Sequence, residues 1–142
     1  PGQHPIAKTF FEFSFPSFTK SEQIRKYQQE FEFGGFTIRH SINNEYMFKD
    51  SEINSIDGNY IIGHSHQQFD RTIGKHRLIN TGSVGQNRSK INVINYLICE
   101  LDKNLVEMKY MKYDHQVIIN EMISRSYPDI CINYYKNKSV LK

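Results

Sequence analysis

The sequence predicts an α+β fold of layered architecture, because β-rich runs crowd the middle of the chain and helical patterns stand towards its ends. The clearest β signal is a hairpin. "INVINYLICELD" and "LVEMKYMKYD" alternate with a period of two and join at Lys103-Asn104. After it, "DHQVIINEMISRSY" reads as a helix capped by Asp114, with Val117, Ile118 and Met122 in its apolar stripe and Pro128 closing it.

From the start of the chain, "KTFFEFSFPSF" is aromatic and roughly alternating, which predicts a strand or extended arm stopped by Pro16. Thr19-Lys20-Ser21-Glu22 matches a capping box and opens a helix through Phe31, ended by Gly34-Gly35. "FTIRH" is a short strand. Residues 41–59 read as a polar, turn-rich loop with one helical turn, and "YIIGHSH" as a strand running into a loop. A second hairpin follows, with arms at Phe69 to Thr72 and His76 to Asn80 around Gly74-Lys75. The tail to Lys142 is polar and expected to fray.

The totals narrow the function. A chain of 142 residues has the length of one domain, and 38% apolar with 13% aromatic content supports a packed core. The net charge of +3 is spread along the chain. It suits an anionic substrate but lacks the clustered basic face of a nucleic-acid binder. Two cysteines, Cys99 and Cys131, are too few for a disulfide scaffold, so a reducing cytoplasm is expected, with Cys99 a buried thiol. No apolar run nears the ~18 residues of a membrane span, so no membrane partner is expected.

Chemistry points to the histidines. His64 and His66 lie two apart, so on a strand both imidazoles face one side, while at a strand-to-loop junction they could diverge slightly and reach two neighbouring ions; Gly63 before them lets the backbone approach closely. Imidazole is the commonest metal ligand, yet the pair by itself leaves open two polar loop histidines. His40 ends "FTIRH" as His64 ends "YIIGH", which would bring both to one sheet rim. His76 and His115 read as a surface side chain and a cap-region residue. Ser83 in "TGSVG" lacks the spacing of a nucleophile elbow. The loop "GSVGQNR" offers backbone N–H groups and Arg88 to a phosphate, or is simply a turn.

Residues 61–88, "IIGHSHQQFDRTIGKHRLINTGSVGQNR", resemble the C-terminal signature of the calcineurin-like metallophosphoesterase superfamily, of its bacterial phosphatase and phosphodiesterase-like branch. That signature is a G-H-[TS]-H motif, a hairpin and an N-P-G-S-V-G-Q-P-R stretch. Asn80, Gly82, Ser83, Val84, Gly85, Gln86 and Arg88 match it, while Thr81 and Asn87 replace prolines. "FTIRHS" with "EYMF" upstream, and "MKYDHQVIINEMISRSYPD" downstream, are similar to neighbouring parts of the branch. The resemblance implies a four-layer α/β/β/α sandwich and hydrolysis of phosphomono- or diesters at two divalent metal ions, Mn, Fe, Zn or Ni. It further implies His40 and His64 on one ion, His66 on the other, and Asn80, Gly82, Ser83 and Arg88 as a phosphate-binding loop.

The family's D-x-H and G-D-x-x-D motifs do not occur in these residues. The expectation is therefore a C-terminal half at 36–132, preceded by an arm and helix at 1–35 and followed by a polar tail at 133–142. "GQH" stands where the family has G-N-H, which would make His4 the acid that protonates the leaving group; a terminal remnant is the other reading. With the acidic ligands elsewhere, the isolated chain should be a poor enzyme. A complementary N-terminal half or a second copy would be its partner, a phosphoester its substrate, and nucleic acid a partner only as substrate. The alternative is a metal-free phosphoesterase fold kept as a scaffold for a protein partner. Residues 41–59 offer no motif that names a substrate.

Overall fold

Gly34 and Gly35 do not end a helix. They sit at φ 57° and 76°, and two positive φ values in a two-residue connection make the tight turn that suits paired strands. The turn folds β1 (Glu30–Phe33) onto β2 (Phe36–Arg39), antiparallel, with Phe33 opposite Phe36. The expected helix to Phe31 is thus cut to one turn, α2 (Ser21–Ile24). The Glu-Phe-Glu-Phe alternation and the glycine pair outweigh a capping box that forms no side-chain cap.

The computed structural model describes residues 4–100, 103 and 105–142. They divide into two units. One comprises Gln28–Tyr113 with Leu141, and holds all the strands among the described residues; the other comprises the residues before and after it and is helical. No helix among the described residues is long and apolar enough to cross a membrane.

In the strand unit, β3 (Tyr60–Ile62), β4 (Phe69–Ile73) and β5 (His76–Asn80) complete a five-stranded mixed sheet of order β1-β2-β3-β5-β4. β3 lies parallel to both β2 and β5, and β4 returns antiparallel on β5 through the expected turn at Gly74. β6 (Val93–Glu100) and β7 (Leu105–Lys112) form the second sheet, an antiparallel pair. Of its expected junction, Asn104 lies outside the described residues.

Alternation sorts the five-stranded sheet's side chains onto two faces. Phe36, Ile61 and Ile79 pack with Leu97, Cys99 and Val106 of the hairpin. Ile62, Phe69, Ile73 and Leu78 pack on the other face with Met47, Ile42, Ile53 and Ile56. Those last four belong to the segment read as a polar loop. It contains no helical turn, and its apolar residues close the core. Cys99 is only part-buried, whereas Cys131 is fully buried.

The helical unit corrects two further expectations. "KTFFEFSFPSF" is mostly helix α1 (Pro5–Ser14), started by Pro5 in the first turn, where proline's missing N–H costs nothing. Its aromatics fit helical spacing as well as alternation. Phe10 and Phe13, three apart, both meet Tyr127, and Phe11 stacks on Phe15 at 4.7 Å. Helix α3 (His115–Ser124) is capped by Asp114, which accepts from the Gln116 N–H as expected. Its buried residues are Ile119 and Met122, while Val117 and Ile118 are exposed. The helix ends before Pro128, which instead caps α4 (Asp129–Lys136), so helix extends into the tail.

Candidate functional site

Parallel strands ending together put their following residues on one rim, where open sheets carry their sites. His40 follows β2 and Gly63-His64 follows β3, and the Gly63 N–H donates to the His40 carbonyl at 3.0 Å. That bond ties the two strand ends, and the side chains meet above it. His64 Nδ1 stands 2.9 Å from His40 Nε2, with the rings edge to face at 4.8 Å. The common rim expected for His40 and His64 is therefore present in the geometry.

The backbone beyond Gly63 is bent unusually. His64 has φ 62° and His66 φ 58°, a left-handed conformation that costs side-chain-bearing residues energy. The Ser65 N–H closes the turn onto the Gly63 carbonyl at 2.8 Å. His64 and His66 therefore do not share one side as strand residues two apart would. His66 points its Nδ1 at the Gln86 carbonyl, 3.0 Å away, in the glycine-containing loop, while its neighbour faces His40.

Asn80 holds this strained turn. It is fully buried at the end of β5, and its amide donates to the Gly63 carbonyl and to Ser65 Oγ, the latter at 3.0 Å. Its Oδ1 accepts from the Gly82 N–H at 2.9 Å. With every one of these groups engaged, Asn80 braces the loop from inside. Gly82, at φ 80°, comes so close to β6 that an added Cβ would lie 2.6 Å from Asn95 Cβ. Ser83 Oγ accepts from the Gln86 N–H at 2.9 Å and shapes the same loop. Arg88 is exposed.

Sequence reasoning missed the polar layer beneath. Asn87 donates to Asn95 Oδ1, Asn95 donates to Gln68 Oε1 at 3.1 Å, and Gln68 donates to the Tyr96 carbonyl at 3.1 Å. It also missed Tyr46, whose ring stacks on His64 at 3.9 Å while the Arg88 guanidinium lies 5.3 Å from its centre. Tyr46 lies in the quoted "EYMF", but nothing in that spacing places it against His64.

Burial pushes both His64 and His66 below the usual imidazole range. For His64 the neighbouring His40, Arg88 and His66 add to this, and for His66 the Gln86 carbonyl opposes it. Both are therefore neutral near pH 7, with a lone pair to give. The donor chemistry fits a divalent cation. The 2.9 Å contact is a hydrogen bond between the two rings; in a tetrahedral site with nitrogens ~2.1 Å from the ion two ligands stand roughly 3.4 Å apart, so the pair would exchange this bond and separate by about half an ångström to hold one. The set is incomplete, since no three His, Cys, Asp or Glu side chains gather into a metal-sized group among the described residues. His4 precedes α1 in the helical unit and makes no side-chain cap bond there.

No family model and no curated protein matches the chain. Solved structures do. A hypothetical protein of Pyrococcus horikoshii OT3 superposes with a TM-score of 0.73 at 12% identity, over 95% of this chain and 61% of its own. A metallophosphoesterase from Sphaerobacter thermophilus gives 0.68 at 15% identity, over 96% of this chain and 70% of its own. The chain thus spans about three fifths of the first neighbour's length. At these identities the likeness is one of fold: a mixed α+β architecture with a five-stranded sheet, similar to that of a metallophosphoesterase.

Proposed function

We propose that this chain is part of a metal-dependent phosphoesterase that hydrolyses phosphomono- or diesters at two divalent cations. The observation that carries the reading is the convergence of His40 Nε2 and His64 Nδ1 at the ends of parallel strands, on a fold like that of a metallophosphoesterase. His40 and His64 hold one ion and His66 the other. The carboxylate ligands come from a complementary N-terminal half or another copy, residues 36–132 being the C-terminal half of the domain. Bound divalent cations neutralise phosphoryl oxygens and make water acidic enough to attack at neutral pH.

The chain's own residues orient and anchor. Neutral imidazoles give lone pairs, and the Gly63–Asn80–Gly82 bonds fix the turn that aims them. Arg88, held beside Tyr46, supplies fixed positive charge to an anionic ester. His4 is the acid proposed to protonate the leaving group. The test is hydrolysis of mono- and bis-p-nitrophenyl phosphate with added Mn²⁺, with the complementary half supplied. His64→Ala should lower turnover by about a hundredfold, with an unchanged circular dichroism spectrum. Normal turnover by that variant overturns the assignment. A chain that binds no metal in calorimetry under any of these conditions is a scaffold instead.

A further inference from the structure

The segment 41–59 does more than cover the sheet. Around it opens a cavity of about 810 Å³, within the size range of small-molecule sites. Its walls include Arg39, the residue before His40, and Tyr46, whose ring stacks on His64. The cavity therefore adjoins the histidine pair through a shared wall.

That wall is held in place. Met47, Ile53 and Ile56 are anchored in the core, Arg71 Nη1 donates to the Ser51 carbonyl at 2.7 Å, and the Lys49 N–H donates to Gln67 Oε1 at 2.8 Å. A pocket whose shape is preset loses less entropy on binding. The lining is rich in hydrogen-bonding groups, with Asn43, Ser51, Asn54 and Ser55 beside three carboxylates, Glu45, Glu52 and Asp57. The one cation of the wall, Arg39, is engaged by Glu30 at 3.1 Å, and Asp57 accepts from the Tyr60 hydroxyl at 2.7 Å. Three carboxylates against one cation make the lining net acidic, opposite in sign to the surroundings of Arg88.

We propose that this cavity receives the alcohol half of a phosphomonoester, and that it selects polyhydroxy alcohols carrying no negative charge of their own. The inference rests on the phosphoesterase reading and names its substrate class. Hydroxyls find donors and acceptors on the asparagine and serine side chains, while a second anionic group meets an excess of carboxylates over cations and is rejected. In the reaction, a water oxygen bonds to phosphorus and the ester P–O bond breaks. The alcohol departs with one proton, and inorganic phosphate is left.

The experiment compares two probes of similar size, glycerol 3-phosphate and 3-phosphoglycerate, titrated into the full chain with Zn²⁺ and followed by ¹⁵N NMR. Glycerol 3-phosphate should shift the amides of Ile42, Tyr46 and Ile56 and bind at least about fivefold tighter than the carboxylate analogue. The double variant Glu45→Gln/Glu52→Gln should narrow that ratio while leaving the His40 and His64 imidazole signals in place. Equal affinities, an unaltered ratio in the variant, or a silent cavity with responding imidazoles overturns the cavity's role and spares the metal site. A responding cavity with silent imidazoles has the opposite meaning: the polyol pocket stands and the phosphoesterase reading falls.

Discussion

The two faces of the five-stranded sheet are closed by different means. On one, Phe36, Ile61 and Ile79 lie under a regular hairpin, β6–β7, whose backbone groups satisfy one another. On the other, Ile62, Phe69 and Leu78 lie under an irregular segment that must satisfy its backbone piecemeal, through Ser51, Gln67 and Arg71. Between Phe36 and Ile61 of the sheet and Cys99 and Val106 of the hairpin only about 10 Å³ is left. The irregular cover leaves an 810 Å³ cavity and delivers Tyr46 to His64. Between these two covers, the irregular one is thus where space lies beside the histidine pair, which is the usual division between scaffold and loop.

Truncating the two cores should break the comparison most directly. Leu78 and Ile79 are both fully buried and point to opposite faces. Leu78→Ala and Ile79→Ala should each cost about 2–5 kcal/mol in urea unfolding. Only Leu78→Ala should speed amide exchange across 41–59. Equal effects on that segment would mean the two covers move as one.

The fastenings of the covers come next. Gly82→Ala forces a Cβ against Asn95 at φ 80°, so the glycine loop must lift from β6, at a cost of more than about 1 kcal/mol. Arg71→Met removes donors to the Ser51 and Phe48 carbonyls and should cost about 1 kcal/mol. A larger loss for Arg71→Met than for Gly82→Ala would reverse the expected order of the two effects.

The smallest effect belongs to the hairpin side. The Tyr113 hydroxyl donates to the Ile91 carbonyl at 2.6 Å, and burial raises its pKa above the usual tyrosine value. In the unfolded chain a tyrosine ionises near ~10. Its contribution is therefore complete below that pH and is lost as pH rises through the higher folded value. Tyr113→Phe should cost about 1 kcal/mol at pH 7 and flatten the alkaline limb of the stability curve. An unchanged limb would show that another group controls it.

Much of the strand unit was legible in advance. The hairpins at 69–80 and 93–112 announce themselves because alternation and turn chemistry are local, set by residues near one another in the chain. The errors at α1 and β1 share a cause. A Phe-rich run satisfies both the helical and the strand period, and pairing partners decide between them. Segment 41–59 looked polar because its four anchoring apolar residues, Ile42, Met47, Ile53 and Ile56, follow no period.

The histidine pair divides in the same way. Gly63, His64 and His66, and the expectation that His40 would share their rim, came from residue type and strand position alone. Which of the two arrangements open to His64 and His66 is taken, that Asn80 is spent on bracing the turn, and that Tyr46 lies over His64 follow from tertiary structure. Residue type sets what a side chain can donate or bind, and neighbours in sequence set local geometry. Which groups meet across 20 residues or more is decided when parallel strands align, because only then do their ends share one rim.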